Sequence, residues 1–548
     1  MDVSWVDLLL SFSASTVSSR PLSANDVCSH YPIAISKKTA RDTPCPAISW
    51  NSESARLMDM THAQLLLRAY ARATNMLIAG RRFITSDGEL TALLEAFGAQ
   101  VITPDCAEDT PSTPTGLDVI FDLDEGAFPR PGAITVLAPG GSFQGVYAPD
   151  TSLLRGPEDP ERIAWARSLM PVTEAAVGRI AHLLPGRRIG LALVLEPKTA
   201  ALALMLAEAG AEVSVFGHAS ETRDDVADAL RRAGLKVFAN SQASPEQEEA
   251  LAREFLAENN EYLLDDGSHL IRMAHDPNRA PTALSALRGA AEETTSGLRP
   301  LRHFPLRVPV IASNDARSKT LFDNAYGTGQ SCWTTILDII DPAGIGAPVP
   351  GMTIGVIGYG DVGKGCARFG RALGGKVSVV ELDPVRALQA RMDGFTVTPL
   401  SELAARAGML ISATGEPSTI PLGALEALPE NAIVTVAGGV VGEVEVEQAL
   451  VAGWTLTEAG PAHIQNLSDP KGKSLRLLEK GEGINYTAGE GNPIEIMDMS
   501  FGVQVAALTE LLTRGEELSP GLHNLPHQAD DAVSRAALDA LRGTSNAQ

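Results

Sequence analysis

The sequence predicts an α/β protein built on several mainly parallel sheets, and three observations predict it. Short β-rich runs alternate with helical ones from about residue 58 to residue 460. A GxGxxG pattern, Gly358, Gly360 and Gly363, follows an apolar strand and opens a helix. The chain, at 548 residues, is too long for one core and fits about two to four domains of roughly 100–200 residues.

Along the chain, residues 1–57 carry Ser, Pro, Thr and Asn without periodicity and are expected to be disordered. The first apolar stretch contains Asp2 and Asp7 and has no basic residues ahead of it, which argues against a signal peptide; Met58 or Met60 offers an alternative translation start. HAQLLLRAYARAT reads as a helix, NMLIAG as a strand, GELTALLEAFGAQ as a helix, and VITPD, DVIFDL and AITVLAPGG as further strands. These define an extra α/β domain over 58–150, whose glycines form no dinucleotide pattern, so a structural or dimerising role is expected. From 151, RRIGLALVLE, AEVSVFG, KVFAN and EYLLDDG read as strands, with KTAALALMLAEAG and VADALRRAG as helices. From 351 to 460 the strands are TIGVIGYG, KVSVVELD, TVTPL, MLISATG, AIVTVAGG and WTLTEAG. A tail follows about residue 515 and holds one helix, DDAVSRAALDALRG.

The formal charge is −23. Such a chain has no bulk field for a phosphate backbone or an anionic membrane, which argues against nucleic acid as a main partner. Five widely spaced cysteines with no CxxC make neither a disulfide scaffold nor a Cys-based zinc site, so no metal is expected, and a reducing cytoplasm suits them. No apolar run approaches the roughly 18 residues of a membrane span.

The glycine loop carries the clearest chemistry. Gly358 permits the tight turn, Gly360 lets the backbone approach a pyrophosphate, and Gly363 lets helix and strand pack closely. The helix N-terminus turns its free N–H groups toward the phosphates. Glu381 ends the next strand about 20 residues on, where an acid accepts ribose hydroxyls and disfavours a 2′-phosphate, so NAD is favoured over NADP.

Residues 186–515 then resemble the S-adenosylhomocysteine hydrolase family, archaeal-type branch, in ordered blocks: LLDDG (263–267), AEETTSG (291–297), SNDARSKTLFDNAYG (313–327), GYGDVGKGCA (358–367), SATG (412–415) and GEGNPIEIMDMSF (489–501). The resemblance implies a Rossmann NAD-binding domain (330–492) inserted in a substrate-binding domain (151–329 and 493–515), followed by the tail 516–548. It implies a homo-oligomer, dimer or tetramer, although the tail lacks the Lys and Tyr that reach a neighbour's cofactor in many members. It also implies a redox-neutral cycle on a small nucleoside: NAD oxidises the 3′-hydroxyl, the C4′ proton becomes acidic, and the 5′ substituent is eliminated. By residue, it makes Lys319 and Asp323 the acceptor of the 3′-hydroxyl proton, with a lysine pKa lowered by burial. Asp266 and Glu293 would bind the ribose and move protons at C4′ and C5′. Asn314, Asn324 and Asn492 would position the substrate. Thr294, Thr295, Ser296, Asn324, Thr414 and Asn485 would contact the cofactor, and Gly358, Gly360, Asp361, Val362, Gly363 and Glu381 would hold its adenosine and phosphates. Taken singly, Lys319 and Asp323 also fit a surface i,i+4 pair, and Asp265 and Asp266 a strand cap.

The departures bear on the reaction. Val194, Glu196 and Lys198 stand where the family has a His near C5′, a Thr for adenine and an adenine-contacting Glu. Gly439 and Asn492 replace two further histidines, Thr328 a cysteine and Arg386 an NAD-contacting asparagine. The 3′-oxidation residues stay while the imidazoles near neutral pKa go. The expected activity is therefore a nucleoside dehydratase that forms a 4′,5′-unsaturated nucleoside of the angustmycin (decoyinine) antibiotic type. A divergent adenosylhomocysteinase and a non-catalytic NAD-binding regulatory protein are the alternatives. Glu196 is the candidate replacement acid, against an exposed acid at a helix start; His269 is a second candidate, against a solvent-facing histidine.

Overall fold

Three sheets follow the alternation read in the sequence. The computed structural model describes residues 53–104, 118–124, 129–130, 132–342, 348–440, 442–460 and 462–542. The first sheet belongs to the N-terminal layer: α1 (Glu53–Thr74), β1 (Arg82–Ile84), α2 (Gly88–Ala96), β2 (Gln100–Ile102), β3 (Val119–Asp122), β4 (Ile134–Leu137), β5 (Gly145–Tyr147) and β6 (Leu153–Leu154). Its order is β2-β1-β3-β4-β5-β6, parallel through β4 and antiparallel beyond.

Two expectations change here. Helix α1 already covers 53–57, the end of the segment expected to be disordered; residues 1–52 lie outside the described residues. The run NMLIAG is not a strand. Asn75 takes φ +49° and breaks the extended path, and Met76 and Ile78 bury their side chains while their backbone groups bond the Gln330 amide, at 2.9 Å each, instead of a sheet neighbour.

The layer is not a separate body. Phe97 stacks on Phe369 at 4.6 Å, and Arg68 bonds Asp338 (2.8 Å) and Asp341 (3.3 Å), so one apolar core runs from α1 and α2 into the cofactor-binding domain.

The domain that the resemblance expects to bind substrate starts with α3 (Arg162–Ser168) and α4 (Pro171–Ile180). It continues through β7 (Arg188–Ala192), α5 (Pro197–Glu208), β8 (Glu212–Phe216), α6 (Asp224–Arg232), β9 (Lys236–Phe238), α7 (Pro245–Ala257), β10 (Tyr262–Asp265), α8 (His269–Ala274), β11 (Gly289–Glu292), α9 (Thr295–Leu301) and β12 (Pro309–Ala312). The sheet is wholly parallel, in the order β21-β12-β11-β10-β7-β8-β9, where β21 is Gly521–Asn524 from the end of the chain. Its buried strands read as apolar runs, as parallel sheets covered on both faces do.

Helix α10 (Thr328–Ile340) leads into the cofactor-binding domain: β13 (Thr353–Ile357), α11 (Asp361–Ala372), β14 (Lys376–Val380), α12 (Pro384–Met392), β15 (Thr396–Val397), β16 (Met409–Ser412), β17 (Ile433–Val436), β18 (Thr455–Glu458), β19 (Ile464–Ser468) and β20 (Ser474–Leu478). Its sheet runs β15-β14-β13-β16-β17-β20-β19-β18. The chain then returns through residues 490–493 to α13 (Ile494–Arg514), β21 (Gly521–Asn524) and α14 (His527–Arg542).

The segment set apart as a tail thus completes the substrate domain. β21 pairs with β12, and α14 packs on α13 and α4. No helix among the described residues is long and apolar enough to cross a membrane.

Candidate active site

In open parallel sheets, ligands bind beyond the carboxyl ends of the strands. Val194, His218, Asp266, Glu293 and Asn314 each lie one or two residues past β7, β8, β10, β11 and β12. They face the glycine loop across a cleft of about 1580 Å³, larger than the roughly 300–1,000 Å³ of a single small-ligand site. Every candidate residue except Gly363 lines it.

The glycine end fits a dinucleotide. Gly358 has φ +92°, and a Cβ there would meet Ala413 O at 2.9 Å; a Cβ at Gly363 would lie 2.0 Å from Gly358 O. Gly363 therefore serves from behind the loop, by close packing. In front of Gly360 the nearest group is the Arg386 guanidinium, 3.8 Å from an added Cβ, which adds positive charge beside the open N-terminus of α11. Glu381 is held by the backbone N–H groups of Tyr359 (2.6 Å), Leu382 (2.7 Å) and Asp383 (2.9 Å). Those bonds fix the carboxylate at the strand end and leave lone pairs for hydroxyls. Asp361 bonds Lys364 and Thr320, both at 3.2 Å, and ties the loop to the substrate domain; Val362 follows it in the first turn.

At the other end of the cofactor cleft, Asn485 Oδ1 is buried with no hydrogen-bond partner among the described residues. An orphaned acceptor of this kind suits a carboxamide N–H. Gly438 takes φ +57°, and a Cβ there would press on Thr328 at 3.1 Å. Thr294 caps α9 and bonds Glu292 (2.8 Å), with Thr295 and Ser296 beside it on the cleft wall. Thr414 bonds Thr419 (2.6 Å) and the buried Glu443 (3.1 Å). Arg299 on α9 reaches across to Thr414 O (3.1 Å), Gly415 O (2.6 Å) and Glu416 (2.6 Å), so the two domains are latched over the cleft. The residues present fit NAD.

Between these ends, a π-helical turn, Thr320–Gly327, carries Asp323 and Asn324, with Lys319 just before it; such turns often mark functional sites. Lys319 and Asp323 are buried and paired at 2.6 Å, which excludes the surface-pair reading. Lys319 Nζ also donates to Asn314 Oδ1 (3.4 Å) and Asn324 Oδ1 (3.2 Å). Asn492 donates to Asp323 (2.5 Å) and Thr328 (3.2 Å) and accepts from Ser331 (2.9 Å). The lowered lysine pKa does not occur. Burial acts in that direction, but Asp323, Glu293 and Asp266 together hold the ammonium above its ordinary value.

Burial pushes Glu293 up to about 8 against the pull of Lys319, and its Oε1 has no partner among the described residues. Burial also raises Asp266, again opposed by Lys319. Asp265 is the strand cap: it accepts from Ile271 N (2.8 Å) and does not line the cleft.

Glu196 is buried, not exposed, but it is the N-cap of α5. It accepts from Lys198 N (3.0 Å) and Thr199 N (3.3 Å) and pairs with Lys198 Nζ at 2.8 Å. Lys198 Nζ also donates to Glu490 O (2.9 Å). Met497 and Phe501 add apolar lining to the same cleft. His269 is exposed on one face and lines the cleft, its ring 5.1 Å from that of His218. The sequence reading did not single out His218.

Residues 325–491 match the family model described as S-adenosyl-L-homocysteine hydrolase, NAD binding domain. An adenosylhomocysteinase of Thermotoga maritima is 36% identical over 391 residues, covering 69% of this chain and 94% of the relative. An S-inosyl-L-homocysteine hydrolase of Methanopyrus kandleri is 35% identical over 406 residues, covering 73% and 94%. An adenosylhomocysteinase of Pyrococcus abyssi is 36% identical over 395 residues, covering 70% and 91%.

Proposed function

The chain belongs to the S-adenosyl-L-homocysteine hydrolase family of NAD-dependent enzymes, and from that premise we propose that it hydrolyses a purine nucleoside 5′-thioether of the S-adenosyl- or S-inosyl-L-homocysteine kind. The observation that carries the reading is the buried Lys319–Asp323 pair, framed by Asn314, Asn324 and Asn492, in the cleft that fits NAD. A regulatory scaffold has no use for a buried ion pair facing its ligand cleft. The relatives' names favour hydrolysis over the dehydration that the lost histidines suggested.

NAD, when bound to Gly358, Gly360, Glu381 and Asn485, supplies the acceptor for a hydride from C3′ and returns that hydride after cleavage. Asp323 accepts the 3′-hydroxyl proton while the Lys319 ammonium holds the oxygen. The amide contacts to Lys319 are long, at 3.4 and 3.2 Å, so a sugar oxygen displaces either. With a pKa of about 8, Glu293 keeps its proton near neutral pH and donates to a ribose hydroxyl. Asp266 takes the C4′ proton, and the Lys319 charge opposes the rise that burial gives its carboxyl. The Arg299 latch keeps water from the elimination product until the closing step.

The test is a thiol assay on NAD-loaded protein given S-adenosyl-L-homocysteine or S-inosyl-L-homocysteine. Release of homocysteine with recovery of the nucleoside is expected. Release from neither, with no reduced nicotinamide on mixing, refutes the reading. Dehydration remains the second reading because Val194, apolar, lines the cleft at the first substrate strand. Loss of one water from a 5′-hydroxyl purine nucleoside, with no thioether cleavage, would establish it.

A further inference from the structure

His218 follows β8 and faces the cleft. Its Nδ1 is held by Glu248 Oε1 at 2.8 Å, and Glu248 is itself fixed, its Oε2 accepting from Ala219 N at 2.8 Å. The other ring nitrogen, Nε2, is buried with no hydrogen-bond partner among the described residues. A carboxylate on one nitrogen sets the orientation of the imidazole and leaves the other for a reacting group. The titratable groups around the ring are Glu248 on α7, Glu221 in the turn after β8, Asp265 and Asp266 at the end of β10, and His269 on α8, which Arg272 of the same helix accompanies. Burial alone lowers this imidazole, but the Glu248 bond and the charges of Glu221, Glu248 and Asp265 lift it to about 9.

Position follows from the sheet: Asn314, Glu293, Asp266, Val194 and His218 stand past β12, β11, β10, β7 and β8 in that spatial order and line one cleft, so beyond Asp266, on the side away from Asn314 and Lys319, stands His218. With C3′ at Lys319 and the C4′ hydrogen at Asp266, the next carbon along the sugar is C5′, and it lies toward His218. The rival acids are less apt. Glu196 spends its oxygens on two backbone N–H groups and Lys198. His269 has no carboxylate bonded to its ring among the described residues, and although its side chain is exposed, the covered part of the ring and the neighbouring His218 charge lower it to about 4.

We propose that His218, oriented by Glu248, is the acid that protonates the group leaving C5′ and the base that receives a proton from the water adding there. The proposal rests on the reading that this cleft eliminates at C5′. As Asp266 removes the C4′ proton, its electron pair forms the C4′–C5′ double bond, and the C5′–S bond breaks. The sulfur keeps that bond's electrons and takes the proton from His218 Nε2. Water then adds its oxygen to C5′ while neutral His218 takes one of its protons; C4′ regains a hydrogen from Asp266, and both groups return to their starting state.

The experiment compares wild type, H218N and E248Q as NAD-loaded enzymes. The substrates are S-adenosyl-L-homocysteine, S-inosyl-L-homocysteine and the corresponding para-nitrophenyl thioethers, whose thiolate departs without a proton. H218N is expected to reduce nicotinamide on mixing and to exchange the C4′ hydrogen with deuterated solvent. Its homocysteine release should fall about 10²–10⁴-fold, while nitrothiophenolate release stays within a few-fold of wild type. E248Q removes the charge that raises the ring, so the alkaline limb of homocysteine release moves to lower pH by about one unit or more. H218N that releases homocysteine at the wild-type rate, or loses both leaving groups equally while still reducing nicotinamide, overturns the assignment. An unmoved alkaline limb in E248Q does the same. Wild type that never reduces nicotinamide overturns the proposed function itself, and this proposal with it.

Discussion

Replacing Arg162 by Met should damage both stability and turnover, because this arginine holds the return crossing beside the active site. Its guanidinium is 3% exposed and grips Glu490 with two bonds, Nε–Oε1 at 2.8 Å and Nη2–Oε2 at 2.7 Å, while Nη1 donates to Ala73 O at 2.5 Å. Breaking one side of a buried pair of this kind costs about 3–5 kcal/mol, since the remaining charge is left without its counter-ion. For a chain of this length, about 2 cal/mol/K per residue makes that a fall of about 3–5 °C in Tm. Glu490 is two residues from Asn492, which bonds Asp323, so kcat should drop by about ten- to a hundredfold. The sign with pH is opposite in the two proteins. In wild type, burial raises Glu490, but Arg162 and Lys198 more than offset it and hold the carboxyl below its ordinary value. Its contribution is present above that value and is lost as pH falls through the lowered pKa. In R162M burial prevails, so the variant's deficit shrinks in acid and grows as pH rises. Urea melts across pH, with the thioether assay alongside, measure all three effects, and the double variant R162M/E490M should recover most of the stability. An R162M within about 1 kcal/mol of wild type, with unchanged kcat, refutes the reasoning.

Three other outcomes are expected. K319M keeps NAD binding but no longer reduces nicotinamide when thioether is added, because no ammonium remains to hold the 3′-oxygen; stopped-flow absorbance checks it. G438A, strained at φ +57° and pressed against Thr328 at 3.1 Å, lowers NAD occupancy of the purified protein, which titration of the bound dinucleotide reports. Glu293, raised to about 8 chiefly by burial, contributes stability below the ordinary glutamate value that is lost as pH rises through about 8. E293Q removes that loss, so its thermal midpoint should exceed wild type above that pH; a parallel pH dependence of the two midpoints refutes it.

What the sequence disclosed is what local chemistry encodes. The GxGxxG turn, Glu381 at the next strand end, and the Lys319–Asp323 spacing each depend on neighbours within a helical turn or one βα unit, and all of these residues but Gly363 line one cleft. The misreadings came from partners far along the chain. NMLIAG has the composition of a strand, but its backbone is satisfied by Gln330 in another domain. The tail looked detached because β21 pairs with β12, more than two hundred residues earlier, at the far edge of the sheet. His218 passed unremarked because its carboxylate lies 30 residues away on a separate helix. Lys319 was expected to lose affinity for its proton because burial alone can be inferred from motif context; the three carboxylates that reverse the shift arrive from β10, β11 and the same π-helical turn.

The N-terminal layer gains a physical role from the same long-range contacts. Gln330, at the outgoing crossing, is bonded by Met76 and Ile78. Glu490 and Ile494, at the return crossing, are bonded by Asn75, and Glu495 by Leu77 and Arg81. Residues 75–81 therefore touch both connections between the substrate and cofactor-binding domains. The backbone of Met76 and Ile78 bonds Gln330 in place of a sheet neighbour, which ties this departure from the expected strand pattern to contacts at the domain crossings.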